Sequence, residues 1–193
     1  MRDPSRRDFI RVGGLALVGV GFASGRPARA AALEVIEMRS DPLGARVWFD
    51  PIGLFVQPGT TVRFVVRENV HTTTAYHPKN DHHPLRIPEG AAPWDSGYLV
   101  KPGDHFDVTL TAPGVYDYYC VPHEAAGMVG RIVVGRRAGP GAQPFDYWMG
   151  RPGTERWKHV PDAARRNLPS VSRIVAERRV RPRTQPLPQG DHP

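Results

Sequence analysis

The chain has 193 residues, enough for one domain with extensions, and a single cysteine, Cys120. One cysteine excludes an internal disulfide, a structural zinc site of three or four cysteines, and an iron–sulfur cluster held by four. The net charge of +7 is segregated: residues 1–30 carry six Arg and two Asp, residues 31–135 eight basic against twelve acidic side chains, and residues 136–193 twelve against five. An acidic core followed by a basic tail places a boundary near Gly135. No nucleic-acid recognition motif accompanies the basic tail, which speaks against that partner class.

The first thirty residues read as an export signal of the twin-arginine type. Arg6 and Arg7 precede Phe9 and Ile10, an apolar run from Val12 to Ala23 follows, and Ala28-Arg29-Ala30 forms a small-x-small cleavage site. The apolar run is glycine-rich and shorter than the roughly 20 residues that span a bilayer. Cleavage is expected after Ala30, which makes the mature protein periplasmic or otherwise extracytoplasmic. An unpaired thiol in that oxidising setting calls for an explanation.

From Leu33 to Val134 short alternating runs dominate, and five of them predict strands: Arg46–Phe49, Thr61–Val66, His105–Leu110, Val115–Cys120 and Gly130–Val134. Turn residues separate them at Asp50-Pro51, Gln57-Pro58-Gly59, Lys101-Pro102-Gly103-Asp104 and Ala112-Pro113-Gly114. Many short strands divided by turns indicate an all-β sandwich or barrel. The stretch from Thr72 to Tyr98 breaks this pattern and reads as a long loop, with or without a short helix, rich in Pro and His. Beyond Gly135 the tail contains an aromatic island, Phe145–Met149, expected to dock on the domain. Short helices are predicted over 161–167 and within 169–180, where Val171, Ile174 and Val175 fall at helical spacing. Residues 181–193 have the composition of a disordered end.

The chemistry lies in Cys120-x-x-His123-x-x-x-x-Met128. A thiolate, an imidazole and a thioether are metal-ligand types, and the two sulfur donors select copper or zinc over magnesium or calcium. Two His, one Cys and a weak axial Met describe a mononuclear type 1 (blue) copper electron-transfer site. A second histidine is then required, and His71, at the end of the strand running to Val66, is the best placed. His77, His82 and His83 lie further into the long loop and read as solvated loop histidines, with loop hydrogen bonds or an accessory metal site beside Asp81 as the alternatives. Tyr116, Tyr118, Trp48 and Trp94 read as core or sandwich-end packing.

The segment YYCVPHEAAGMVG, residues 118–130, resembles the copper loop of the plastocyanin and pseudoazurin branch of the cupredoxins. Residues 53–64, GLFVQPGTTVRF, resemble the paired strands that precede the family's first histidine. The likeness covers about residues 33–135 and implies a Greek-key β-sandwich carrying one type 1 copper ion per chain. It also implies His71, Cys120, His123 and Met128 as its ligands, with no catalytic residues. At the position after the first histidine, where this branch usually has an asparagine tying the two ligand loops together, Thr72 stands here. Its hydroxyl is expected to donate one hydrogen bond in a different geometry.

These readings organise the chain as a leader (1–30), a cupredoxin domain (31–135) and a basic, partly helical C-terminal extension (136–193). The function expected is that of a monomeric extracytoplasmic electron carrier serving redox partner proteins, not an enzyme. The basic tail is expected either to contact an acidic partner or membrane surface, or to wrap over the sandwich. The alternatives are copper storage or delivery, and a subunit of a copper redox enzyme. The last would need a second copper on three histidines.

Overall fold

The computed structural model describes residues 32–182. The expected leader and nearly all of 181–193 lie outside the described residues. Two sheets face each other. The first runs β2(Val47–Asp50), β1(Leu33–Ser40), β4(Thr60–Val66), β6(His105–Leu110). The second runs β5(Thr74–Ala75), β7(Gly114–Tyr119), β8(Val129–Val134), β3(Gly53–Val56), β9(Arg179–Val180). All five expected strands are present, within a residue or two at their ends. The fold is the expected Greek-key β-sandwich, with β1 parallel to β4 and β3 parallel to β8.

Strand β4 shows why these residues make this sheet. Thr60, Val62, Phe64 and Val66 are buried, whereas Thr61, Arg63 and Val65 are partly exposed, so the two-residue period puts one face in the core. On the outer face Arg63 pairs with Asp107 directly across the ladder at 2.7 Å. From the second sheet Tyr118 meets the rings of Phe49 and Phe64 edge-on, with centroids 4.8 and 5.1 Å apart. Trp94 and Tyr116 complete this aromatic centre as expected. Trp48 instead sits half-buried outside the sandwich, its ring about equally distant from Arg39 and Arg46, at 6.0 and 5.9 Å.

Strands β7 and β8 are buried on both faces, although Val115–Cys120 alternates as a half-exposed strand would. The tail accounts for this. Helices α1(Asp162–Asn167) and α2(Val171–Glu177) cover the outer side of the second sheet, and strand β9 extends its edge beside β3. Val115 and Val133 pack there with Ile174 and Val180, and Tyr119 and Val129 with Val160 and Ala164. Residues 136–182 of the tail wrap over the sandwich, and the aromatic island docks through the Tyr147 hydroxyl, which donates to the carbonyl of Leu85 at 2.7 Å.

Asp117 is caught beneath that wrap with 0 % side-chain exposure, between Arg131 at 2.6 Å and Arg86 at 3.0 Å. Both guanidiniums continue outward. Arg86 donates to the carbonyls of Gly141, Gln143 and Pro144, and Arg131 to that of Pro169. Burial works against the Arg131 charge, but Asp117 more than offsets it and holds the guanidinium above its ordinary range. The residues that look solvent-facing in the strand pattern are therefore the tail's attachment points.

Candidate metal centre

His71 enters the site from the end of the first sheet. Its backbone exchanges two hydrogen bonds with Leu99, 3.1 and 2.9 Å long, and its Nε2 lies 3.2 Å from the Ser40 hydroxyl. That contact turns Nδ1 inward. Cys120 follows β7 directly, and the chain then makes a 3₁₀ turn over Val121–His123, with Pro122 at its start. The loop closes on itself: the Cys120 amide donates to Met128 at 3.0 Å, and the Met128 amide to His123 at 3.1 Å.

This folding gathers three donor atoms. The Cys120 Sγ lies 3.4 Å from His123 Nδ1 and 3.8 Å from His71 Nδ1, and all three atoms fall within 4.8 Å of one another. His71, Cys120 and Met128 are fully buried, and Cys120 and Met128 belong to the same core cluster. His123 is partly exposed, ringed by exposed Val121, Pro122, Ala125 and Ala126.

The electrostatics suit a cation with soft ligands. Burial, aided by the nearby His123, lowers the His71 pKa to about 4, so the imidazole is neutral at neutral pH and has one ring nitrogen free to bind a cation. Burial also lowers His123. Burial pushes the Cys120 thiol up to about 11, so the sulfur holds its proton until a cation replaces it. The Thr72 backbone N–H points at the sulfur from 3.3 Å and partly opposes that rise. Two imidazoles and one sulfur converging at the edge of the core, with a buried thioether close by, fit a type 1 copper ion and no hard cation.

Residues 37–135 match the model of the copper-binding proteins of the plastocyanin/azurin family. The chain belongs to that family. It is 33 % identical over 121 residues to a plastocyanin of Prochlorothrix hollandica, covering 61 % of this chain and 84 % of that protein. It is 32 % identical over 121 residues to a pseudoazurin of Paracoccus pantotrophus, covering 63 % and 70 %. A solved pseudoazurin from Sinorhizobium meliltoi is 32 % identical, covers 59 % of this chain and 84 % of its own, and superposes with a TM-score of 0.46. The protein is thus a copper-binding, electron-transfer cupredoxin rather than an enzyme.

Among the described residues, His71, Cys120 and His123 are the one group of three or more His, Cys, Asp or Glu side chains whose donor atoms converge, and the cupredoxin's other histidines belong to no such group. His77 is occupied as acceptor of the Lys79 amide at 3.1 Å. For His83 the structure has the loop-hydrogen-bond alternative rather than the solvated one. His83 is buried, with Nδ1 2.8 Å from the Asn80 carbonyl and Nε2 3.1 Å from Glu124. Thr72 does more than the single donated bond expected of its hydroxyl. Its hydroxyl accepts a hydrogen bond from the Val121 amide at 2.8 Å, because that amide is the free donor at the start of the 3₁₀ turn. Ser40, Tyr76 and Glu124 were not singled out by sequence, since each makes its contact through chain distant in the sequence.

Proposed function

We propose that this cupredoxin is an extracytoplasmic electron carrier in which His71, Cys120 and His123 bind copper equatorially and Met128 completes the site as a weak axial ligand. The observation that carries this reading is the convergence of Cys120 Sγ with the inward-facing Nδ1 atoms of two histidines supplied by different parts of the fold. Copper bound there supplies a one-electron couple. The protein's part is to hold the donors still: His71 by its Leu99 bridge and Ser40, Cys120 by the loop closure to Met128, and the sulfur by the Thr72 amide. A frame that does not move between oxidation states keeps reorganisation small.

The partly exposed His123 and its rim of Val121, Pro122, Ala125 and Ala126 make the face through which a redox partner protein reaches the site. The leader composition supports export to an extracytoplasmic compartment. The exposed charge of the tail, including Arg165 and Arg166 on α1, supports contact with an acidic partner or membrane surface.

The test is copper(II) titration of the purified chain beginning at Ala31. An intense thiolate-to-copper visible band is expected, saturating at one ion per chain and absent in Cys120→Ser. No band, or a band that survives the substitution, overturns the proposal.

A further inference from the structure

Glu124 follows His123 directly and lies inside the metal loop, yet its side chain is only 13 % exposed. A carboxylate so far removed from water is tolerable only when both oxygens are satisfied. They are. Oε1 accepts from the Tyr76 hydroxyl at 2.7 Å, and Oε2 lies 3.1 Å from His83 Nε2. Both partners come from the long segment after His71, not from the metal loop itself.

We propose that Tyr76 and His83 are positioning residues for His123, acting through Glu124 to clamp the metal loop from outside. This rests on the reading of His123 as a copper ligand.

The clamp is itself rigid. Tyr76 is fully buried, and its ring stacks on Tyr119 with centroids 4.6 Å apart. His83 stacks on the same ring at 4.4 Å, and its Nδ1 lies 2.8 Å from the Asn80 carbonyl and 3.1 Å from the Tyr119 hydroxyl. Asn80 in turn ties its side-chain amide to the carbonyls of Ala75 and Trp94, at 2.8 and 3.0 Å. Tyr119 immediately precedes Cys120, so one aromatic cluster touches the chain on both sides of the Cys120–His123 turn.

What Glu124 fixes is the backbone that shapes the loop. The Gly127 amide donates to the Glu124 carbonyl at 2.8 Å, and the Ala126 and Met128 amides both donate to the His123 carbonyl at 3.1 Å. The surrounding residues Val121, Pro122, Ala125 and Ala126 are exposed and give that turn little packing. The Glu124 side chain is the anchor that holds residues 123 and 124 against the body of the domain, and through their carbonyls the path to Met128.

The experiment uses the full chain with Tyr76→Phe, Glu124→Ala, Glu124→Gln and, as a control, Tyr116→Phe. Tyr116 also donates a hydroxyl to one acceptor, the Ala112 carbonyl at 2.7 Å, which lies outside the metal loop. In the metal-free protein, Tyr76→Phe and Glu124→Ala are expected to speed hydrogen exchange at the Ala126, Gly127 and Met128 amides about tenfold. In the copper-loaded protein the same two variants are expected to shift the visible band and the copper hyperfine splitting. Glu124→Gln keeps an acceptor oxygen for Tyr76 but turns an amide nitrogen toward His83, and is expected to fall between the parent and Glu124→Ala in both readouts. Tyr116→Phe is expected to lower the melting temperature and move neither. Parental exchange rates, or a parental spectrum, in Tyr76→Phe and Glu124→Ala overturn the positioning role whatever happens to the melting temperature. Exchange is read without metal, so this failure is distinct from a failure of copper to bind.

Discussion

The side-chain oxygen of Thr72 sits 2.8 Å from the backbone nitrogen of Val121, while the Thr72 backbone nitrogen sits 3.3 Å from the sulfur of Cys120. One residue thus joins the two arms of the site twice, with its side chain accepting and its main chain donating. The tie that the family resemblance assigns to an asparagine is kept here by a smaller side chain, because the donor it meets is the first free amide of the 3₁₀ turn. The hydroxyl also lies 3.2 Å from that of Thr74, which leaves it little freedom to turn away.

Replacing that hydroxyl tests the tie. Thr72→Val keeps the shape and the N–H to sulfur but leaves the Val121 amide without its acceptor, at a cost of about 1–3 kcal/mol. The expected result is a lower melting temperature together with a shifted thiolate–copper band. Thr72→Ser, which retains the oxygen, is expected to reproduce the parent in both. A Thr72→Val protein with an unchanged spectrum would show that the bond supports the fold but not the site.

The copper loop and the strands were legible because each depends on local pattern. Cys120, His123 and Met128 are close in sequence, and Thr60–Val66 and His105–Leu110 alternate plainly. His71 could be chosen because it follows, after a short turn, a strand whose pattern is clear. The supporting contacts were not legible, for a physical reason. His83 finds Glu124 and Tyr76 finds Glu124 across 41 and 48 residues of chain, in a segment with neither helical nor strand period. The burial of Asp117 was invisible because strand alternation predicts which residues face out, not whether a distant tail covers them. Arg86 and Arg131 look like solvated charges until the carbonyls of residues 141–144 and 169 are placed against them.

Asp117 tests how far the tail belongs to the domain. In Asp117→Asn one carboxylate oxygen becomes an amide nitrogen facing two guanidiniums that can only donate. Removing one charge from a buried triad of this kind costs about 3–5 kcal/mol. A large fall in melting temperature is expected, along with proteolytic cleavage within 136–182 under conditions where the parent is resistant. A variant that melts like the parent would mean that the two arginines do not hold the tail.

Gly127 tests the contact between the tail and the metal loop. It has φ +86, and its carbonyl accepts from the Asn167 side chain at 3.0 Å. A Cβ added there would lie 2.4 Å from Asn167 Nδ2, which must swing away and lose its bond to the Gly127 carbonyl, and 3.2 Å from the Ala163 carbonyl oxygen, which must give by a few tenths of an ångström. Gly150 has a similar φ of +75, but a Cβ there meets nothing within 4 Å. Alanine at either site incurs the left-handed backbone cost of about 1–2 kcal/mol. Alanine at 127 adds an overpacking cost of about 1–3 kcal/mol. Calorimetry should therefore find Gly127→Ala clearly less stable than Gly150→Ala, and only Gly127→Ala should alter the copper spectrum, since the displaced backbone leads directly into Met128. Equal losses at the two positions would show that α1 does not bear on the loop in solution.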